Sequence, residues 1–312
     1  MSDRVIVANG GRSMEREISL RSGRRAAGAL EAIGFEVETV DPDHRFVRYL
    51  MERVPAFVFV AMHGRGGEDG TLQDLLEILE IPYTGSDVHA SARCLDKHAF
   101  KEMLRTEDLM TPPWHSFNRE AFTQFGAGET LPALTSQLGF PLVVKPAREG
   151  SSLGIKVVQS SDEFVTAVLG AFNYDDRVVI ERFVTGRELA VTVLGSADDP
   201  QVLPIVEILT DEPYYTFTAH YETGAATLKI ADLGPDELEQ VQTAAQRAYT
   251  LADCRDLARV DIILDSSGPQ ILEINTVPGL TETGPTPFAA DAAGLEFNDL
   301  IAELIRRVRS ER

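Results

Sequence analysis

Arg259-Val-Asp-Ile-Ile-Leu-Asp265 and Pro269-Gln-Ile-Leu-Glu-Ile-Asn275 are two short apolar segments separated by Ser266-Ser267-Gly268. The separator suits a three-residue hairpin loop with glycine last. In an antiparallel hairpin centred on Ser267, Asp261 falls opposite Glu273 and Arg259 opposite Asn275. Side chains two apart in a strand share a face, so these four polar groups gather on one face. Val260, Ile262, Ile271, Leu272 and Ile274 supply most of the apolar surroundings. Two facing carboxylates repel unless a cation lies between them. Asp, Glu and Asn form a hard-oxygen set that points to magnesium, which usually accompanies a nucleotide phosphate. A sheet with one solvated polar face would display the same residues without any function, so the hairpin alone leaves both readings open.

The bulk properties narrow the field. A chain of 312 residues has room for two or three domains. Its net charge of −20, from 29 basic and 49 acidic side chains, argues against non-specific nucleic-acid binding and against an anionic membrane surface. A few placed lysines and arginines must overcome that field wherever phosphate binds. The two cysteines, Cys94 and Cys254, show no metal-type spacing and no disulfide framework. The six histidines are scattered and give no zinc pattern. No signal peptide and no membrane-length apolar run is apparent, so a cytoplasmic location is expected.

Strands alternate with helices near the start, which predicts a parallel α/β sheet. Val5–Ala8 ends in Asn9-Gly10-Gly11, and a helix from about Glu15 to Ile33 follows with Ser13 as its N-cap. Phe35–Val40 and Ala56–Ala61 read as the next strands. Ligands bind beyond the carboxyl ends of such strands, where Asn9-Gly10-Gly11-Arg12 and Met62-His63-Gly64 lie. His63-Gly-Arg-Gly-Gly-Glu-Asp-Gly70 places four glycines and four polar groups in eight residues, a common way to build a ligand site. Further on, Phe140-Pro-Leu-Val-Val-Lys-Pro146 is a strand ending in Lys145, and Glu149-Gly-Ser-Ser-Leu-Gly154 is a Gly/Ser loop. Backbone N–H groups and the hydroxyls of Ser151 and Ser152 can cradle phosphate while Lys145 supplies a point charge. The order of residues is not that of a Walker-A loop.

Taken in order, these blocks resemble the D-alanine–D-alanine ligase family of ATP-grasp enzymes. The blocks are Gly10-Gly-Arg-Ser-Met-Glu-Arg-Glu17, His63 to Gln73, Pro82-Tyr-Thr-Gly85, Asp96-Lys97, Lys145-Pro-Ala-Arg-Glu-Gly-Ser-Ser152, Glu181 to Glu188, Arg259-Val-Asp261 and Glu273-Ile-Asn-Thr-Val-Pro-Gly279. The resemblance runs from Val5 to near Gly294 and implies three α/β domains. These are an N-terminal Rossmann-like parallel sheet over 1–90 and two ATP-grasp subdomains over 91–184 and 185–312. It implies two D-amino acids joined through an acyl phosphate for peptidoglycan precursors, with a homodimer as the family habit. Lys97 and Lys145 would hold the phosphates of ATP, Glu181 with the backbone of Phe183 and Val184 the adenine, and Glu188 the ribose. Asp261, Glu273 and Asn275 would hold two magnesium ions, with manganese as an alternative. Glu15, helped by His63, would take the ammonium of the first amino acid, and Gly279 and Gly284 would line the substrate pocket. Ser151 and Tyr221 would link two covering loops, and Arg259 would stabilise the tetrahedral oxyanion.

Three positions depart from the family pattern. Ala219-His220-Tyr221 stands where the family has Ala-Lys-Tyr, so a phosphate lysine is replaced and Lys229 is the candidate substitute. Gly284 and Pro285 stand where a serine hydroxyl and the next backbone N–H hold the second substrate's carboxylate. Gly284 has no hydroxyl and Pro285 no N–H. Thr283 or Thr286 is the candidate replacement, and an acceptor other than D-alanine is the alternative reading. A non-catalytic nucleotide sensor on the same fold would have no need of Arg259, and a Rossmann dehydrogenase would need a Gly-x-Gly-x-x-Gly that is absent.

Overall fold

The computed structural model describes residues 3–210 and 226–310. Three sheets organise the chain. The first is parallel, with β1 (Arg4–Ala8), β2 (Glu36–Val40) and β3 (Phe57–Val60) in the order β2-β1-β3. β1 and β3 are continuous apolar runs, as strands covered on both faces require. One face packs Val5, Val7, Phe57 and Phe59 against the helices Arg16–Ala32 and Phe297–Ser310, so the last helix completes the core of the first sheet. Because β1 and β3 are neighbours, the segments after Ala8 and after Val60 leave the sheet side by side. Ser19 ties them together, accepting from Gly10 N at 2.7 Å and donating to Ala61 O at 2.8 Å.

The helix predicted to begin near Glu15 runs Arg16–Ala32, and Ser13 does not cap it. The Ser13 hydroxyl donates instead to the His63 carbonyl at 2.7 Å. A serine so close to a neighbouring strand end finds a fixed carbonyl there that competes with the capping geometry. The helix Lys97–Thr106 is capped as its sequence suggests, with Asp96 accepting from His98 N and Ala99 N. Its buried face carries Lys97, Phe100, Lys101 and Leu104, at spacings of three and four.

The second sheet is antiparallel, with β4 (Trp114–Asn118), β5 (Leu142–Pro146), β6 (Lys156–Val158) and β7 (Arg177–Arg182) in the order β4-β7-β5-β6. Glu181 pairs with Val143, and Val143 shares its face with Lys145, so Lys145 and Glu181 meet on one face. The third sheet holds β8 (Arg187–Ser196), β9 (Asp199–Val202), β10 (Val206–Leu209), β11 (Thr227–Ile230), β12 (Asp256–Asp265) and β13 (Gly268–Asn275). Its order is β11-β10-β8-β12-β13, with β9 beside β8.

The β12–β13 hairpin reaches the predicted pairing by another route. Arg259 faces Asn275 and Asp261 faces Glu273, but Asp265 pairs with Gly268. The turn is therefore Ser266-Ser267 alone, not three residues, and a bulge between Asp261 and Ile262 restores the register. The bulge is dictated by burial. An unbroken strand would put Ile271 on the polar face with Glu273. With Leu272 as the extra residue, Ile271 joins Ile262 and Ile274 in the core, while Leu272 and Glu273 both line the cleft.

Candidate active site

A cleft of about 1050 Å³, open to solvent at its mouth, lies between the second and third sheets. Val143, Lys145 and Glu181 form one wall, and Glu188, Ile208, Asp261, Ile263, Leu272 and Glu273 the other. Phe183, Val184 and Ser152 close it. This apolar slot with a few convergent charges has the character of a cofactor site. Phe183 N–H is taken by the Pro141 carbonyl at 3.1 Å.

The charges in the cleft are paired and buried. Lys145 lies 2.8 Å from Glu181 Oε1, and Lys97 lies 3.0 Å from Glu273 Oε2 and donates to the Glu149 carbonyl at 2.6 Å. Burial alone would raise the Glu273 carboxyl, but the ammonium groups of Lys97 and Lys145 outweigh it and hold the group at about 2. Burial also works against the charge on Glu181, where Lys101 and Lys145 win and lower its pKa. Asp261 is raised, by burial first and by Glu273, against the opposing pull of Arg259.

Arg259 grips Asp261 through two hydrogen bonds, Nε to Oδ1 at 2.7 Å and Nη2 to Oδ2 at 2.8 Å. Asn275 donates its amide to Asp261 Oδ2 at 3.0 Å. Asp261, Glu273 and Asn275 thus lie in register on one face, a donor set that fits magnesium in type, with Asp261 held by Arg259 and Glu273 by Lys97.

A second pocket of about 490 Å³ adjoins the first beyond Arg259 and Asn275. Glu15, His63, Glu68, Ser151, Gly279, Gly284 and Pro285 line it. The Ser151 hydroxyl donates to Glu15 Oε1, whereas Glu15 Oε2 is buried with no hydrogen-bond partner among the described residues. Gly64 and Gly150 let the backbone close around that oxygen, since a Cβ at either would come within 2.6 Å of it. Burial and the nearby Glu68 push the Glu15 carboxyl up to about 7. Burial opposes protonation of His63, but Glu68 and Glu15 outweigh it and raise its pKa. His63 Nδ1 lies 3.7 Å from Glu68 Oε1, and its Nε2 lies 3.1 Å from Ser22 Oγ.

The structure sorts the residues named from sequence. Lys145, Glu181, Phe183, Val184, Glu188 and Ser152 share the cleft with Asp261 and Glu273. Ser151 turns to Glu15 rather than into the cleft. Ser151 and Ser152 have φ of 49° and 59°, left-handed values that cost non-glycine residues of order 1–2 kcal/mol each. Tyr221 and His220 lie outside the described residues. Lys229 is not a substitute for the missing lysine here. It pairs with Glu207 at 3.1 Å, and Ile208, on the opposite face of the same strand, lines the cleft.

Several site residues were not found from sequence. Lys101 reaches Glu181 Oε1 at 3.1 Å, and its spacing of four from Lys97 was the available signal. Glu68 belongs to the Gly-rich loop already singled out and accepts from Gly64 N at 2.9 Å. Arg65, in the same loop, reaches Glu149 at 3.0 Å and Asp175 at 3.5 Å, fastening this loop to the Gly/Ser loop. No local pattern marks that contact, because its partners lie far along the chain.

Comparison with known proteins agrees with this geometry. The family model described as "D-ala D-ala ligase C-terminus" matches residues 103–306, and "D-ala D-ala ligase N-terminus" matches residues 47–86. A D-alanine–D-alanine ligase of Desulforudis audaxviator is 41% identical over 308 residues, covering 98% of each chain. The structure of a D-alanine–D-alanine ligase from Bacillus anthracis superposes with a TM-score of 0.86 at 32% identity, covering 99% of both chains. Its complex with ATP gives 0.83 at 30% identity, again over 99% of both. With the two-pocket geometry and both family models in agreement, the chain belongs to the D-alanine–D-alanine ligase family of ATP-grasp enzymes.

Proposed function

We propose that the chain uses ATP to join D-alanine to a second D-alanine for peptidoglycan precursor synthesis. One observation carries the reading: the Arg259–Asp261 pair stands between two pockets, with Asp261 lining the cleft and Arg259 the smaller pocket. A carboxylate held at that junction meets the nucleotide on one side and an oxyanion stabiliser on the other. The ammonium of the first D-alanine satisfies Glu15 Oε2, and its carboxylate oxygen attacks the γ-phosphorus, releasing ADP. The amine of the second D-alanine attacks the acyl carbon, phosphate leaves, and the nitrogen loses a proton. Arg259 stabilises the tetrahedral oxygen where charge develops. Lys97 and Lys145 hold phosphate oxygens, Glu181 with Phe183 and Val184 the base, and Glu188 the ribose. Asp261, Glu273 and Asn275 would hold magnesium, which when bound would neutralise charge on the transferring phosphoryl group.

The test is incubation with ATP, magnesium and D-alanine, following ADP and identifying the product by mass. D-Alanyl-D-alanine is the expected product. No turnover with any pair of substrates would sink the ligase reading.

A second reading concerns the acceptor. The helix Pro285–Ala292 opens at the smaller pocket from Gly284. Its first turn has prolines at 285 and 287, and Phe288 N bonds back to Gly284 O at 3.2 Å. Gly284 N–H is itself taken by Thr281 O at 3.1 Å. Only Thr286 is left to offer a backbone donor there, and its hydroxyl bonds Thr192 at 3.3 Å. A helix end with a single backbone donor favours an acceptor that needs no carboxylate anchor there, such as another amine. ADP release that appears only on adding such an acceptor supports this reading. On either reading, Pro285→Ala adds one N–H to the helix end and lowers the KM of the second D-alanine about three- to tenfold, leaving the KM of ATP unchanged. An unchanged or raised acceptor KM would show that this helix end does not contact the acceptor.

A further inference from the structure

Lys101 has no exposed surface, yet its ammonium is not needed for charge balance. Lys145 already neutralises Glu181 at 2.8 Å, and burying a second cation is costly. Both ammonium groups contact the same oxygen, Oε1, with Lys101 at 3.1 Å. Lys101 also donates to the Thr111 hydroxyl, which donates in turn to the Ile271 carbonyl at 2.7 Å. Ile271 N is bound by the Met110 carbonyl at 2.8 Å. Ile271 immediately precedes the bulged residue Leu272 and stands two before Glu273. The Trp114 ring, 5.6 Å from the Lys101 nitrogen, closes the remaining side.

We infer that Lys101 is a positioning residue for nucleotide recognition: it and Lys145 hold the Glu181 carboxylate from one side, so that the carboxylate accepts from the exocyclic amine of adenine. Through Thr111, Lys101 also ties that carboxylate to the bulge that aims Glu273, linking the base end of the cleft to its phosphate end. The inference rests on the reading that Glu181 receives the base. It explains a choice of base, because adenine offers an amino donor at its sixth position whereas guanine offers a carbonyl that a fixed carboxylate repels. Burial holds the Lys101 ammonium down at about 8, against the raising effect of Glu181, consistent with a tightly enclosed site.

The experiment compares KM and kcat with ATP and with GTP for the wild type, Lys101→Met, Lys101→Arg, Thr111→Val and Glu181→Gln, with thermal melting as a check on folding. Lys101→Met is expected to raise the KM of ATP roughly tenfold with kcat within about threefold, and to erode the preference for ATP over GTP by a similar factor. Lys101→Arg recovers part of the preference, and Thr111→Val shifts KM in the same direction by a smaller factor. A folded Lys101→Met enzyme with wild-type KM and base preference overturns the inference. If that variant does not fold, Thr111→Val decides, and a wild-type KM for ATP there overturns it equally. Glu181→Gln separates the two levels. A wild-type KM and base preference in that variant removes the base reading itself. A defect there beside a normal Lys101→Met removes only the role of Lys101.

Discussion

With Arg259 replaced by methionine, kcat falls by roughly 10²–10³-fold, the usual effect of removing one oxyanion donor. The KM values for ATP and for the first D-alanine change by only about a few-fold, because the interaction belongs to the transition state. The side chain is well placed for such a role: it is 8% exposed and its guanidinium is oriented by two bonds to Asp261. Those bonds mean that the substitution also strips Asp261 of a cation while Glu273 remains nearby. Arg259→Lys separates the two effects. Lysine restores positive charge beside Asp261 but not the planar fork, so a large loss in kcat persists if orientation matters. Steady-state kinetics with kcat within threefold of wild type in Arg259→Met would remove Arg259 from the chemistry.

Glu15→Gln produces the second large effect, and it acts on activity and stability in opposite directions. The first D-alanine loses a charge-assisted hydrogen bond, so its KM rises by roughly 10- to 100-fold. Stability at pH 8 rises. The folded protein holds the Glu15 carboxyl at about 7, against 4.5 for the free group. An acid whose folded pKa is raised binds its proton more tightly in the native state. Below pH 4.5 both states are protonated and nothing is lost. As pH climbs from 4.5 to about 7, the unfolded chain ionises first and stability declines, reaching a floor above 7. That difference corresponds to at most about 3 kcal/mol, a penalty that glutamine does not carry. Melting curves of the variant and wild type should therefore separate at pH 8 and converge near pH 4. A Glu15→Gln protein that melts below wild type at pH 8 contradicts the burial argument, and an unchanged KM for D-alanine contradicts the substrate assignment. Glu15 Oε2, buried with no hydrogen-bond partner among the described residues, is the destabilising group behind this penalty.

The pairing of Asp261 with Glu273 and of Arg259 with Asn275 was legible because apolar and polar residues alternate with period two, and that alternation permits few registers. Lys145 was legible as the end of a strand, and the Gly-rich loop around His63 by its composition. Local chemistry determines those features, so a local reading finds them. The turn and the bulge were a different matter. A three-residue loop and a two-residue loop with a bulge bring the same residues opposite each other. The choice was made by Ile271, which must reach the core beside Ile262 and Ile274. Lys101 shows the same limit. Its spacing from Lys97 gives a shared helix face, but a lysine on an amphipathic helix ordinarily reaches water. Only the approach of β7 and of the Thr111 segment turns it into a buried partner of Glu181. Lys229 fails in the opposite sense, being the right residue type near the missing lysine, yet strand pairing with Glu207 sets its side chain on the far face. Sequence by itself determined the hairpin pairing, the strands of the first sheet and the identity of the charged groups, because these follow from neighbours along the chain. Tertiary structure decided which charges share an oxygen, because burial forces each ionised group to find a partner from whichever strand or helix folding brings alongside.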